Sequence, residues 1–178
     1  MSDILKAIGN TPIVKLKNIV PVGCGEIYVK LEAFNPTGSK KDRMALSMIL
    51  GAEKRGVLKK GMTVVEYSGG STGAGLAFVC SLKGYNFRLV TADVFGKEKI
   101  DLMRSLGANL EIIKSSNGKI NKELITKMIK KADQISKEPN TFFTNQLNNT
   151  DVIEGFIPLG EEILDQLNGN VDAVCDTI

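Results

Sequence analysis

The chain has 178 residues, 43% of them hydrophobic and 24% charged, the profile of a globular protein long enough to bury a core. A formal net charge of +3 is too small to mark a nucleic-acid surface, and the apolar runs fall far short of the roughly 20 residues that span a bilayer. Histidine is absent and the three cysteines (Cys24, Cys80, Cys175) are widely spaced, which excludes a Ser-His-Asp or Cys-His mechanism and any disulfide framework; with no signal-like start, a cytoplasmic location is expected.

In chain order, Ile8-Gly9-Asn10-Thr11-Pro12 reads as a turn leading into the apolar pair Ile13-Val14. A β-rich run at 26–31 precedes a helical pattern over about 41–55, and a second at 62–67 precedes one over about 72–83. The run 87–91 precedes a helix ending at Gly107, the run 110–113 precedes a basic helix over 122–137, and 141–143 precedes a helix over about 152–167. Such alternation predicts parallel βαβ units with right-handed crossovers, hence a three-layer α/β fold with a parallel sheet and helices on both faces. Gly56, Gly84 and Gly107 stand where helices should stop. In the basic helix Leu124, Ile125, Met128, Ile129, Ala132 and Ile135 recur at helical spacing, leaving Lys127, Lys130, Lys131 and Lys137 on a solvated face. Residues 171–178 read as a further buried strand that no crossover helix follows, so a second domain is expected to be incomplete.

Two loops can carry chemistry. In Asn35-Pro36-Thr37-Gly38-Ser39-Lys40-Lys41-Asp42-Arg43, Pro36 and Gly38 fix a turn and Ser39 suits an N-cap. That places Lys41 in a first helical turn, where the positive dipole end disfavours its charge and favours the neutral amine that Schiff-base chemistry needs. On chemistry alone, a solvated helix start is the competing reading. The second loop is Ser68-Gly69-Gly70-Ser71-Thr72-Gly73-Ala74-Gly75. Its glycines let a ligand approach, and free amides at a helix start cradle a carboxylate or phosphate. Neither G-x-G-x-x-G nor a P-loop is present, so an anion cradle is favoured over a nucleotide site, with a tight packing turn as the alternative.

Taken together, Ile8 to Pro12, Lys30-Leu31-Glu32, Asn35 to Arg43, Glu66 ahead of the Gly-rich loop, Lys83-Gly84-Tyr85, Gly107-Ala108 and Gln146-x-x-Asn149 form an ordered set. In that set the chain resembles the cysteine synthase and cystathionine β-synthase family. This is the second structural class of pyridoxal-phosphate enzymes, which shares its fold with the tryptophan synthase β subunit. The resemblance implies that Lys41 carries pyridoxal 5'-phosphate as a Schiff base and removes the substrate Cα proton. It implies that Ser68, Gly69, Gly70, Ser71 and Thr72 hold the substrate carboxylate, with Ser71 also facing the cofactor, and that Gln146 lines the same pocket. No metal is implied.

Two departures from the family pattern stand out. The usual Thr-Ser-Gly-Asn-Thr is here Ser68-Gly69-Gly70-Ser71-Thr72, with Ser71 in place of the Asn that approaches the cofactor's phenolic oxygen. The family's Gly-Thr-Gly-Gly-Thr phosphate cup would follow the strand that here ends at Ile178, so weak cofactor binding by the 178-residue chain alone is expected. The implied domains are 1–145, with about 11–34 pairing with the second domain's sheet, and 146–178 as the start of that domain. The implied reaction is β-replacement on an activated serine such as O-acetylserine, through an aminoacrylate, with sulfide or a thiol. The alternatives are release of hydrogen sulfide from cysteine, or an inactive truncated paralogue acting as a scaffold. The expected partners are serine- or cysteine-type amino acids and a second copy in a homodimer, with no nucleic acid and no membrane.

Overall fold

The computed structural model describes residues 4–176. After a short 3-10 turn at Ile4–Ala7, strands β1 (Ile13–Lys15) and β2 (Tyr28–Lys30) pair antiparallel, with Val14 opposite Val29. Sequence periodicity grouped the run 26–31 with the parallel units, and this is corrected. Only three of its residues form a strand, because the partner available to them is β1 and not the main sheet.

Helix α1 (Lys41–Lys54) follows, then β3 (Thr63–Tyr67), α2 (Ser71–Lys83), β4 (Asn86–Ala92), α3 (Lys97–Ser105), β5 (Asn109–Ile113), α4 (Lys122–Ser136), β6 (Thr141–Phe143) and α5 (Asp151–Gln166). The parallel sheet has the order β5-β4-β3-β6. The path β3-α2-β4-α3-β5 advances in one direction, and α4 returns the chain to the far side of β3. The order therefore reverses between β3 and β6, and in open α/β sheets ligands bind outside the carboxyl ends at such a reversal.

Side-chain alternation divides the core in two. Val64, Phe87 and Leu89 face α2 and α3 and pack with Leu76, Val79, Cys80 and Met103, while Val65, Tyr67, Val90 and Ala92 face α4 and meet Leu124, Met128, Ala132 and Ile135. Sheet and helices thus form the expected three layers. Helix α1 packs on α2 on the outer side of the first cluster, and α5 packs on α1. Cys80 lies in the core, as its apolar run predicted, and burial pushes its thiol well above the ordinary range. Ile129, assigned to the apolar stripe of α4, is exposed.

Gly56, Gly84 and Gly107 close their helices with φ of +72°, +75° and +91°, the left-handed geometry their positions implied. The strand expected at 171–178 is corrected over its described part. Residues 171–176 form no strand, since no described neighbour offers a ladder, and Val174 remains 70% exposed; residues 177 and 178 lie outside the described residues. Among the described residues no helix is long and apolar enough to cross a membrane.

Candidate active site

The Asn35–Ser39 loop is fixed by buried polar groups. Asn35 Oδ1 accepts the Gly9 amide at 2.8 Å, and its Nδ2 donates to the Glu32 backbone carbonyl and carboxylate at 2.9 and 2.8 Å. Gly38 takes φ +80°, and the Thr37 amide donates to Asp42 Oδ2 at 2.7 Å while its hydroxyl donates to Oδ1. Asp42 is fully buried, and burial raises its carboxyl above the ordinary range despite both Thr37 bonds. Ser39 stands one place before the position expected of it. Lys40 is the N-cap residue and makes no side-chain cap, while Ser39 Oγ accepts the Lys41 amide at 3.2 Å.

A charged cluster beneath this loop locks the start of α1. Arg43, 5% exposed, donates from Nε and Nη2 to Glu32 at 2.8 and 2.9 Å, and from Nη1 and Nη2 to Glu162 of α5 at 2.6 and 2.8 Å. Glu162 also accepts from Lys30 Nζ at 2.7 Å and from the Asn10 amide at 2.8 Å. Burial alone would push Glu162 upward, but the bonds from Arg43, Lys30 and Asn10 overcome it and hold its carboxyl at about 2. One cluster therefore ties the N-terminal turn, β2, α1 and α5 together, and Lys41 is held between its fixed neighbours.

Lys41 is the first residue of α1 and half-buried. Its amine lies 5.7 Å from the centre of the Phe156 ring on α5 and makes no hydrogen bond among the described residues. Burial lowers its pKa below the ordinary 10.5, Lys40 lowers it further, and Asp176 opposes both. A lysine in that condition keeps more of its neutral, nucleophilic form.

The Gly-rich loop leaves the carboxyl end of β3. Ser68 Oγ accepts the amides of Gly70 and Gly73 at 3.1 and 3.2 Å, so its hydroxyl caps α2. The amides of Ser71 and Thr72, in the first turn of α2, meet no acceptor among the described residues. Gly69 and Gly70 are covered by the segment after β4. A Cβ on Gly69 would stand 2.2 Å from the Phe95 ring, and one on Gly70 would stand 3.2 Å from Lys99 Cδ.

The starts of α1 and α2 lie side by side, since a Cβ on Gly75 would stand 3.1 Å from the Lys41 carbonyl oxygen and 3.0 Å from Asp42 Oδ1. At the end of β6, the Gln146 amide donates to Glu66 Oε2 at 2.9 Å and its Nε2 donates to the Tyr67 carbonyl at 2.9 Å. Glu66 is fully buried at the end of β3, and burial raises its carboxyl despite bonds from Tyr67, Thr144 and Gln146. The structure therefore gathers Lys41, Ser68 to Thr72 and Gln146 at one end of the sheet. No hydrogen bond joins Lys41 Nζ to the loop among the described residues. A groove of about 1030 Å³ lies elsewhere, between Val29, Lys30, Leu159, Ile163 and Val174; it touches Lys40 and none of the residues just named.

Sequence reasoning missed Phe95, Lys99 and Thr144. Paired glycines signal a close approach, but the identity of what approaches is set by β4 and α3, some 25 residues further on.

A family model described as pyridoxal-phosphate dependent enzyme matches residues 4–178. The chain belongs to this family of pyridoxal-phosphate-dependent enzymes, whose cofactor is pyridoxal 5'-phosphate. Cysteine synthase from Staphylococcus aureus is 40% identical over 177 residues, covering 97% of this chain and 54% of that protein. Cysteine synthase B from Escherichia coli is 45% identical over 118 residues, covering 66% and 39%. Among solved structures, a hydrogen sulfide-producing enzyme from Fusobacterium nucleatum matches with a TM-score of 0.87 and 37% identity, over 97% of this chain and 55% of that one. O-ureido-L-serine synthase matches with a TM-score of 0.84 and 36% identity, over 96% and 52%. The chain thus spans about half the length, or less, of the curated relatives it matches. The residues present suit the cofactor, because the desolvated amine of Lys41 is the donor type that a pyridoxal aldehyde requires.

Proposed function

We propose that Lys41 holds pyridoxal phosphate, and that the protein uses it to replace the β-substituent of an activated serine with sulfide, as a cysteine synthase does. The observation that carries this reading is the half-buried Lys41 on the first turn of α1, whose start lies beside the start of α2 with its unbonded amides. The cofactor, when bound, draws off the negative charge that develops at the substrate Cα. The chain's own residues do the rest.

Lys41 is the base for the Cα proton, since burial lowers its pKa and so enlarges the neutral form that can accept one. The Ser71 and Thr72 amides receive the substrate carboxylate, aided by the positive end of α2. Ser68 orients them by capping that helix, and Ser71 is the loop residue assigned to the cofactor. Gln146 joins the ends of β3 and β6 and forms the adjoining wall.

A second reading is release of hydrogen sulfide from cysteine, favoured by the likeness to the fusobacterial hydrogen sulfide-producing enzyme. Two assays with added pyridoxal phosphate separate them. Cysteine formation from O-acetylserine and sulfide, lost in Lys41→Ala, is the expected result. Sulfide release from cysteine without synthesis favours the second reading, and neither activity overturns both.

A further inference from the structure

We propose that Lys99 of α3 is a substrate-binding residue, whose ammonium group pairs with the carboxylate held on the Gly-rich loop. The inference rests on the proposed substrate site and adds a charged partner to it. The Lys99 stem lies on Gly70, with Cδ 3.2 Å and Nζ 3.4 Å from the place where a Cβ would stand. The Phe95 ring fills the same space above Gly69. Two successive residues without side chains are therefore what allow Phe95, before α3, and Lys99, on it, to reach the loop backbone.

The charges of this corner favour an anion over a cation. Elsewhere on α3 the cations are matched, Lys97 and Arg104 both pairing with Asp101 at 2.5 and 2.9 Å. Lys99 is exposed and has no acidic partner among the described residues, and its stem lies over Gly70 at the N-terminal end of α2. There the helix dipole is positive and the Ser71 and Thr72 amides lack acceptors. A cation at the positive end of a helix is disfavoured, and a carboxylate between the two relieves both. With Nζ 3.4 Å from the Cβ position of Gly70, the residue immediately before Ser71, the Lys99 ammonium is adjacent to the amides that the proposal gives to the carboxylate.

The test is a titration of the ¹⁵N-labelled 178-residue chain with L-serine, L-serinamide and inorganic phosphate, following the Ser71 and Thr72 amide resonances. L-serine is expected to shift both, and L-serinamide, which lacks the carboxylate, to shift neither. Lys99→Gln should weaken L-serine binding about tenfold, as loss of one charge-assisted hydrogen bond implies, and Lys99→Arg should restore most of it. Equal binding of L-serine by Lys99→Gln and the parent chain overturns the role of Lys99 alone. Failure of L-serine to shift either amide in the parent chain overturns the substrate site as well. Tighter binding of phosphate than of L-serine at the same amides overturns the assignment to a carboxylate.

Discussion

At the scale of single residues, the site combines groups whose local cost is visible. Lys41 loses solvation at the start of a helix, and its lowered pKa means that, just below pH 10.5, the unfolded chain binds a proton that the folded chain lacks. Stability attributable to Lys41 therefore rises with pH through that window. Lys41→Met keeps the stem against Phe156 and removes the penalty. We expect it to stabilise the fold at neutral pH by on the order of 1 kcal/mol in urea denaturation, with the pH slope flattened and cofactor attachment lost. A destabilised Lys41→Met variant would contradict the desolvation argument. Gly69 makes a steric prediction. Its Cβ would stand 2.2 Å from the Phe95 ring, so Gly69→Ala should cost about 1–3 kcal/mol. Adding Phe95→Ala should recover much of that cost, which a double-mutant cycle measures as coupling.

At the scale of elements, the charged cluster of Glu32, Arg43, Lys30 and Glu162 sets how α1 meets β2 and α5. The Glu162 carboxyl sits at about 2 against an ordinary 4.5, so its contribution is complete above pH 4.5 and is lost as the pH falls toward 2. Glu162→Gln should cost about 2–4 kcal/mol at pH 7, because it leaves Arg43 partly unmatched in a nearly buried position. Parent and variant should converge in stability at pH 2, measured by urea midpoints; an undiminished difference there would contradict the assignment. The elements also show what the sequence made legible. Helices α2 and α4 and strands β3 to β5 were readable because period and glycine stops are local signals. The antiparallel pairing of β1 with β2 and the unpaired state of residues 171–176 were not, since a ladder depends on which distant strand is available. Lys41, Ser68 to Thr72 and Gln146 were proposed through the ordered motifs of the family resemblance, while Phe95 and Lys99 carried no local signal. The contact between α3 and the Gly-rich loop exists only once β4 has placed it.

At the scale of the molecule, the sheet order β5-β4-β3-β6 puts the reversal of the chain path beside β3, so the loops after β3 and β6 both open at that end. Helices α1 and α2 present their starts there together, so the helix that carries Lys41 begins beside the one that carries the unbonded Ser71 and Thr72 amides. The central claim is that Lys41 attaches pyridoxal phosphate. Its most direct test is borohydride reduction of the chain with excess cofactor, followed by peptide mass mapping. A pyridoxyl mark on Lys41, absent when Lys41 is replaced by Ala and not transferred to Lys40, is the predicted result. An unmarked Lys41, or a mark spread over the surface lysines, would contradict it.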